Sequence, residues 1–258
     1  EIIETRLLIR GSEEWQAWPY IWLDDGSDAV LDVTGEVRAI ELIDPDGTPQ
    51  TANYLIPQRN QCVECHEIRQ NDGTRQMTLI GPQARTLNRT YDYEDGAENQ
   101  LQHLSTLGML TGLPSLDDVP TSTDMSAVAE TVRSLGVDAL EPSVRDQAAR
   151  DYMDINCAHC HNPNAVEGVS SQVWLNHDAD DLFHLGVCKR PSSAGEGTGG
   201  LDYDIVPGQP EQSVLWYRTM TTNVGAMMPQ IGRSLSDSVG SQLIAAWITH
   251  LDAPDCSE

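Results

Sequence analysis

At 258 residues with 39% hydrophobic residues, the chain is long enough for one large domain or two small ones with real cores. Forty acidic against 15 basic residues give a formal charge of −25, which excludes a nucleic-acid binder or a protein lying on anionic lipid. No apolar run approaches the roughly 20 residues of a membrane span.

Residues 1–60 alternate short β-prone runs, Glu4 to Arg10, Trp18 to Leu23 and Ala29 to Val33, with turn signals at Asp25-Gly26 and Thr34-Gly35. They read as a β-rich segment that ends a larger N-terminal domain. The start at Glu1 carries neither initiator Met nor signal peptide, so a processed product or a piece of a longer chain is expected, with an export signal or lipoprotein anchor upstream.

Residues 61–120 open on Gln61-Cys62-Val63-Glu64-Cys65-His66 and contain a helix expected from Glu98 to Leu107. Residues 121–141 follow loops rich in Asp, Pro and Ser and read as a linker. From 142 to 258 the pattern is that of a complete small helical domain. Glu141-Pro142 starts a helix, with Val144, Ala148, Tyr152 and Ile155 near helical spacing, up to Asn156-Cys157-Ala158-His159-Cys160-His161. A glycine-rich loop from Gly195 to Gly200, a short helix Pro210 to Thr221 and Met227-Met228-Pro229 come next. Val239, Leu243, Trp247 and Leu251, with Ile244 and Ile248 beside them, mark an amphipathic terminal helix.

Two Cys-x-x-Cys-His motifs consume four of the six cysteines. Two thiols three positions apart on one helical turn can add to the two vinyl groups of a single haem, and the next residue delivers its imidazole to the iron. Two Cys-x-x-Cys clips can also hold zinc, but such clips usually lie some 15–20 residues apart. A thioredoxin-type dithiol needs neither the trailing histidine nor a duplicate. Two covalently bound haem c groups are therefore the expected cofactors. Cys62, Cys65, Cys157 and Cys160 would supply the thioethers, and His66 and His161 the proximal ligands.

For the second haem Met228 is expected as the distal ligand, with Met227 the substitute. For the first, Pro82 lies where a backbone carbonyl could orient His66. Its distal ligand is open between Met109, His103 and an unfilled position. Cys188 and Cys256 remain, and in an exported protein an even remainder pairs as a disulfide.

The run from Ile205 to Leu215 and the Met-Pro before Ala246-Trp247-Ile248 resemble the C-terminal cytochrome domain of planctomycete-type and related bacterial c-type cytochromes. More closely, Glu4 to Leu7, Asn60 to Cys62, Gln83 to Arg89 and Asn156 to Pro163 resemble a family of exported di-haem c-type cytochromes associated with parallel β-helix repeat proteins. The likeness spans nearly the whole chain. It implies export and architecture, and a β-helix partner, but no reaction.

The resulting expectation is two mainly α cytochrome c-like modules, one haem each, after the β-rich segment. The protein would sit in the periplasm or at the cell surface, passing single electrons between a donor and an acceptor protein. An exported quinoprotein dehydrogenase is a donor candidate by analogy with cytochromes generally. The acidic charge would attract a basic redox partner, an effect salt weakens. A di-haem peroxidase reacting at the first haem, and a haem-wiring subunit of a larger surface assembly, are the competing functions.

Overall fold

The computed structural model describes residues 2–44, 47–165, 172–192 and 194–256. In β2 (Trp15–Trp22), Ala17, Pro19 and Ile21 alternate inward with a period of two, as a half-buried strand requires. It is the middle strand of an antiparallel sheet with β1 (Glu4–Arg10) and β3 (Ala29–Leu31), with Leu7 opposite Trp18 and Ile21 opposite Val30. A separate hairpin joins β4 (Glu36–Ile43) to β5 (Pro49–Ile56), whose Ala52 and Ile56 are buried.

The middle of the chain overturns the mainly α expectation. Helix makes up 33% of the chain and strand 22%, the strands lying in several small sheets, so the fold is mixed rather than cytochrome c-like throughout. After the short α1 (Val63–His66), the chain forms two hairpins instead of helices: β6 (Glu67–Arg69) with β7 (Arg75–Met77), and β8 (Thr90–Tyr93) with β9 (Gly96–Asn99). Their turns have the appropriate chemistry. Gly73 at φ 83° closes the first, with the Asp72 carboxylate accepting from the Thr74 N–H and hydroxyl, and β-prone Tyr91 and Tyr93 precede the second. Between the hairpins lies α2 (Ala84–Leu87). The helix expected from Glu98 is α3 (Gln100–Thr106), starting two residues later because Glu98 and Asn99 complete β9 and the Asn99 side chain accepts from the Leu101 N–H.

The stretch 121–141, expected as a linker, holds α4 (Met125–Leu135), capped by the Asp124 carboxylate and ended at Gly136, φ 89°. Its Val128 and Val132 are buried in the core shared by α5 (Pro142–Asn156) and α8 (Ser238–Thr249). The buried stripe of α5 is Ala148, Ala149 and Met153, while Val144 and Ile155 stay exposed. Against it α8 packs Val239, Leu243, Ile244, Trp247 and Ile248, and Asp237 caps its N-terminus. The short α6 (Leu182–Leu185) and α7 (Val214–Met220) complete the half, Leu185 and Val214 turning inward. No helix among the described residues is long and apolar enough to cross a membrane.

Where α5 meets α8 there is no side chain to spare. A Cβ added at Gly240 would stand 2.0 Å from Cζ of Tyr152. Gly240→Ala should lower stability by about 1–3 kcal/mol in urea unfolding, the range for overpacking. Adding Tyr152→Leu should recover part of the loss; an unchanged midpoint in the single variant would contradict this packing.

Candidate functional site

Each Cys-x-x-Cys-His run is held by contacts outside itself. The first follows a 3-10 turn, Arg59–Cys62, whose Arg59 guanidinium lies 3.9 Å from the centre of the Trp18 ring and whose Arg59 N–H donates to the Val33 carbonyl. The N-terminal sheet thus carries the first motif. The second motif continues from α5 in a tight turn, with the His161 N–H donating to the Cys157 carbonyl at 2.9 Å.

The placement of α5 depends on a buried charge cluster. Arg85, from α2, donates to the fully buried Asp151 carboxylate, and its other terminal nitrogen is 3.6 Å from Asp154. The Thr123 N–H adds a bond to Asp151 at 2.6 Å, and the His177 N–H one to Asp154 at 2.9 Å. This clasp ties residues 84–87 to the helix that leads into Cys157.

At the first motif the imidazole orientation is defined by the backbone. Nδ1 of His66 lies 3.0 Å from the Thr78 carbonyl, which can only accept, so Nδ1 carries a proton and the neutral ring has its lone pair on Nε2. The Thr78 N–H returns a bond to the His66 carbonyl at 2.6 Å. The acceptor is therefore Thr78 and not Pro82, which lies in an exposed stretch; the β6–β7 hairpin brings Thr78 back beside the motif.

Neither expected distal residue joins this site. Met109 is 74% exposed. His103 bonds Glu98 at 2.9 Å and stacks on Tyr93, ring centres 3.7 Å apart. Among the described residues no hydrogen bond, ion pair or ring contact links either to the first motif.

The second motif lines a cleft of about 1180 Å³, counted out through its open mouth. Cys157, Cys160, His161 and Met228 all face it, between apolar walls that include Leu175 and Val214. Met227 is not on its wall. The Met228 N–H donates to the Arg218 carbonyl at 2.9 Å, and Arg233 bonds the carbonyls of Arg218 and Thr221, so the loop is pinned to the end of α7. Burial pushes the Cys157 thiol up to about 12.

The two motifs, which the sequence separates widely, touch. Glu64 and Cys65 form part of the cleft wall, and the Cys160 S–H reaches the Glu64 carbonyl at 3.3 Å. Ligand atoms of Cys65, His159 and Cys160 lie within 4.8 Å of one another. Contact with the Cys160 thiol, then with His159, holds the Cys65 thiol well below its ordinary range, and the same contact raises Cys160. Just beyond the motifs, Ile68 bridges Ala165, and the Arg69 N–H donates to the Asn164 carbonyl. His159, a spacer residue in the motif pattern, is thus a site residue that spacing did not reveal. Cys188 is disulfide-bonded to Cys256, tying the turn after α6 to the segment after α8, and none of the four motif cysteines takes part in a disulfide.

The sequence matches no protein-family profile, and no curated protein or solved structure shows significant similarity to it.

Arg85→Met should cost about 3–5 kcal/mol in urea unfolding, because it leaves the Asp151 and Asp154 charges buried without their cation. A loss below about 1 kcal/mol would mean that the clasp is not what holds α5.

Proposed function

We propose that the chain is an extracytoplasmic di-haem c-type electron-transfer protein, with one haem on Cys62 and Cys65 and the other on Cys157 and Cys160. The observation that carries this reading is the single cleft lined by Cys157, Cys160, His161 and Met228: two thiols that could attach a haem and two donors of different softness that could hold its iron. When bound, haem supplies one-electron transfer at iron.

The chain's own residues prepare each position. His161 and Met228 would hold the second iron, a pair that raises its potential relative to two histidines. Thr78 keeps the His66 proton on Nδ1, which leaves Nε2 for the first iron and fixes the ring plane. Leu175, Leu185 and Val214 give the cleft apolar walls, which would lower the local dielectric around a bound group. Because the Cys65 and Cys160 sulfurs lie within 4.8 Å, attachment through them brings the two groups to adjoining points of one protein. The Cys188–Cys256 disulfide suits an oxidising compartment outside the cytoplasm. A charge of −25 suits basic redox partners; an exported quinoprotein dehydrogenase and a β-helix protein are the proposed candidates.

A di-haem peroxidase is the second reading. It draws on the first motif, to which neither Met109 nor His103 is joined among the described residues. Spectra of the first haem separate the two: a six-coordinate, low-spin iron in both redox states supports electron transfer alone, whereas an open position that binds peroxide supports the enzyme.

Met228 tests the electron-transfer reading. Met228→His replaces the soft thioether, so the midpoint of one haem should fall while the other stays nearly fixed. A fall on the order of 100 mV is about 2.3 kcal/mol for one electron. Met228→Ala should open that iron to water or cyanide. If the sulfur-to-iron absorption band and both midpoints survive in Met228→Ala, Met228 is not the ligand.

A further inference from the structure

We propose that Asp204 is the proton acceptor that accompanies electron uptake in the cleft of the second motif. The inference rests on the haem reading above and adds a residue to it. Asp204 lines the same cleft as Cys157, His161 and Met228. Its backbone is fixed on both sides, the N–H donating to the Lys189 carbonyl at 2.7 Å and the carbonyl accepting from the Leu215 N–H at 3.0 Å. Gly186 lies opposite, where an added Cβ would come within 2.9 Å of the Asp204 Cβ, so the close approach of the two segments requires a residue without a side chain there.

The nearby cations are committed elsewhere. Lys189 Nζ bonds the Gln172 carbonyl and lies 4.6 Å from the centre of the Phe183 ring; Arg218 Nε bonds the Ala226 carbonyl at 2.7 Å. Among the described residues neither forms an ion pair with the Asp204 carboxylate. Burial consequently raises its affinity for a proton, to a pKa of about 6, against the pull of Lys189 and Arg218. The other titratable groups on the cleft wall are Glu64, Cys65, Cys157, His159, Cys160 and His161. Farther out, Asp181 acts on Lys189 and Tyr217 on Arg218, while Arg190 pairs with Asp202 at 3.3 Å.

One electron entering from a one-electron donor, a redox protein or a soluble mediator, lowers the charge of the cleft by one. One proton from water, added to the Asp204 carboxylate to make the neutral carboxyl, restores it. The proton is held more tightly after reduction than before. Between the two proton affinities the midpoint therefore falls as pH rises, by up to about 59 mV for each tenfold change in proton concentration.

The test is a spectroelectrochemical titration of the isolated holoprotein from about pH 5 to 8, following the haem that Met228→His identifies. The wild type should show the falling midpoint, Asp204→Asn should flatten it, and Asp204→Glu should keep it with a shifted window. Infrared difference spectra of the wild type should gain a protonated-carboxyl band on reduction, a readout that stands even if Asp204→Asn does not fold. A pH-independent midpoint in the wild type, or an unchanged slope in Asp204→Asn, overturns the assignment while leaving the haem reading intact. A chain that carries no haem overturns both.

Discussion

The contact between the Glu64-Cys65 edge of the first motif and the His159-Cys160 edge of the second is the constraint on which the geometry of the site depends. It joins groups 96 positions apart, and so small a contact cannot by itself offset the chain entropy of closing such a loop. The surrounding fold supplies the difference. Arg59 on Trp18 anchors one motif to the N-terminal sheet, and the Arg85 clasp with the α5–α8 core positions the other. The backbone bonds from Ile68 and Arg69 to residues 164–165 then set the register between them.

This arrangement separates two chemical environments. Cys157 is partly buried against the apolar core, which raises the pKa of its thiol, whereas Cys65 meets sulfur and imidazole neighbours that favour its thiolate. A zinc site of four closed ligands would need both cysteine pairs to converge. Among the described residues only Cys65, His159 and Cys160 do so, while Cys157 faces the cleft with His161 and Met228. In the proposed reading each motif keeps its own attachment site, and Asp204 lies on the cleft of the second.

Residue types that chemistry requires at fixed spacing were legible in the sequence. The two motifs, the apolar stripe of α8 and the cysteine remainder all follow from local patterns. The phase of α5 was not, because nothing local marks Asp151 and Asp154 as buried; Arg85, 66 residues before Asp151, supplies the cation for both. The hairpins within 67–99, where a helical module was expected, have a local signal in Asp72-Gly73 and the tyrosines around 91–93. Helix α4 was likewise readable from Asp124 followed by Val128 and Val132, and was hidden by the polar loops before it. The meeting of the motifs has no local signature, since it is set by tertiary packing alone.

The most direct test is a pyridine haemochrome assay combined with intact mass and metal analysis on protein exported from a host competent in haem attachment. The account predicts two covalent haems per chain, falling to one in Cys62→Ala/Cys65→Ala and to the other in Cys157→Ala/Cys160→Ala. A colourless chain carrying zinc, or a single haem in the unsubstituted protein, would contradict it.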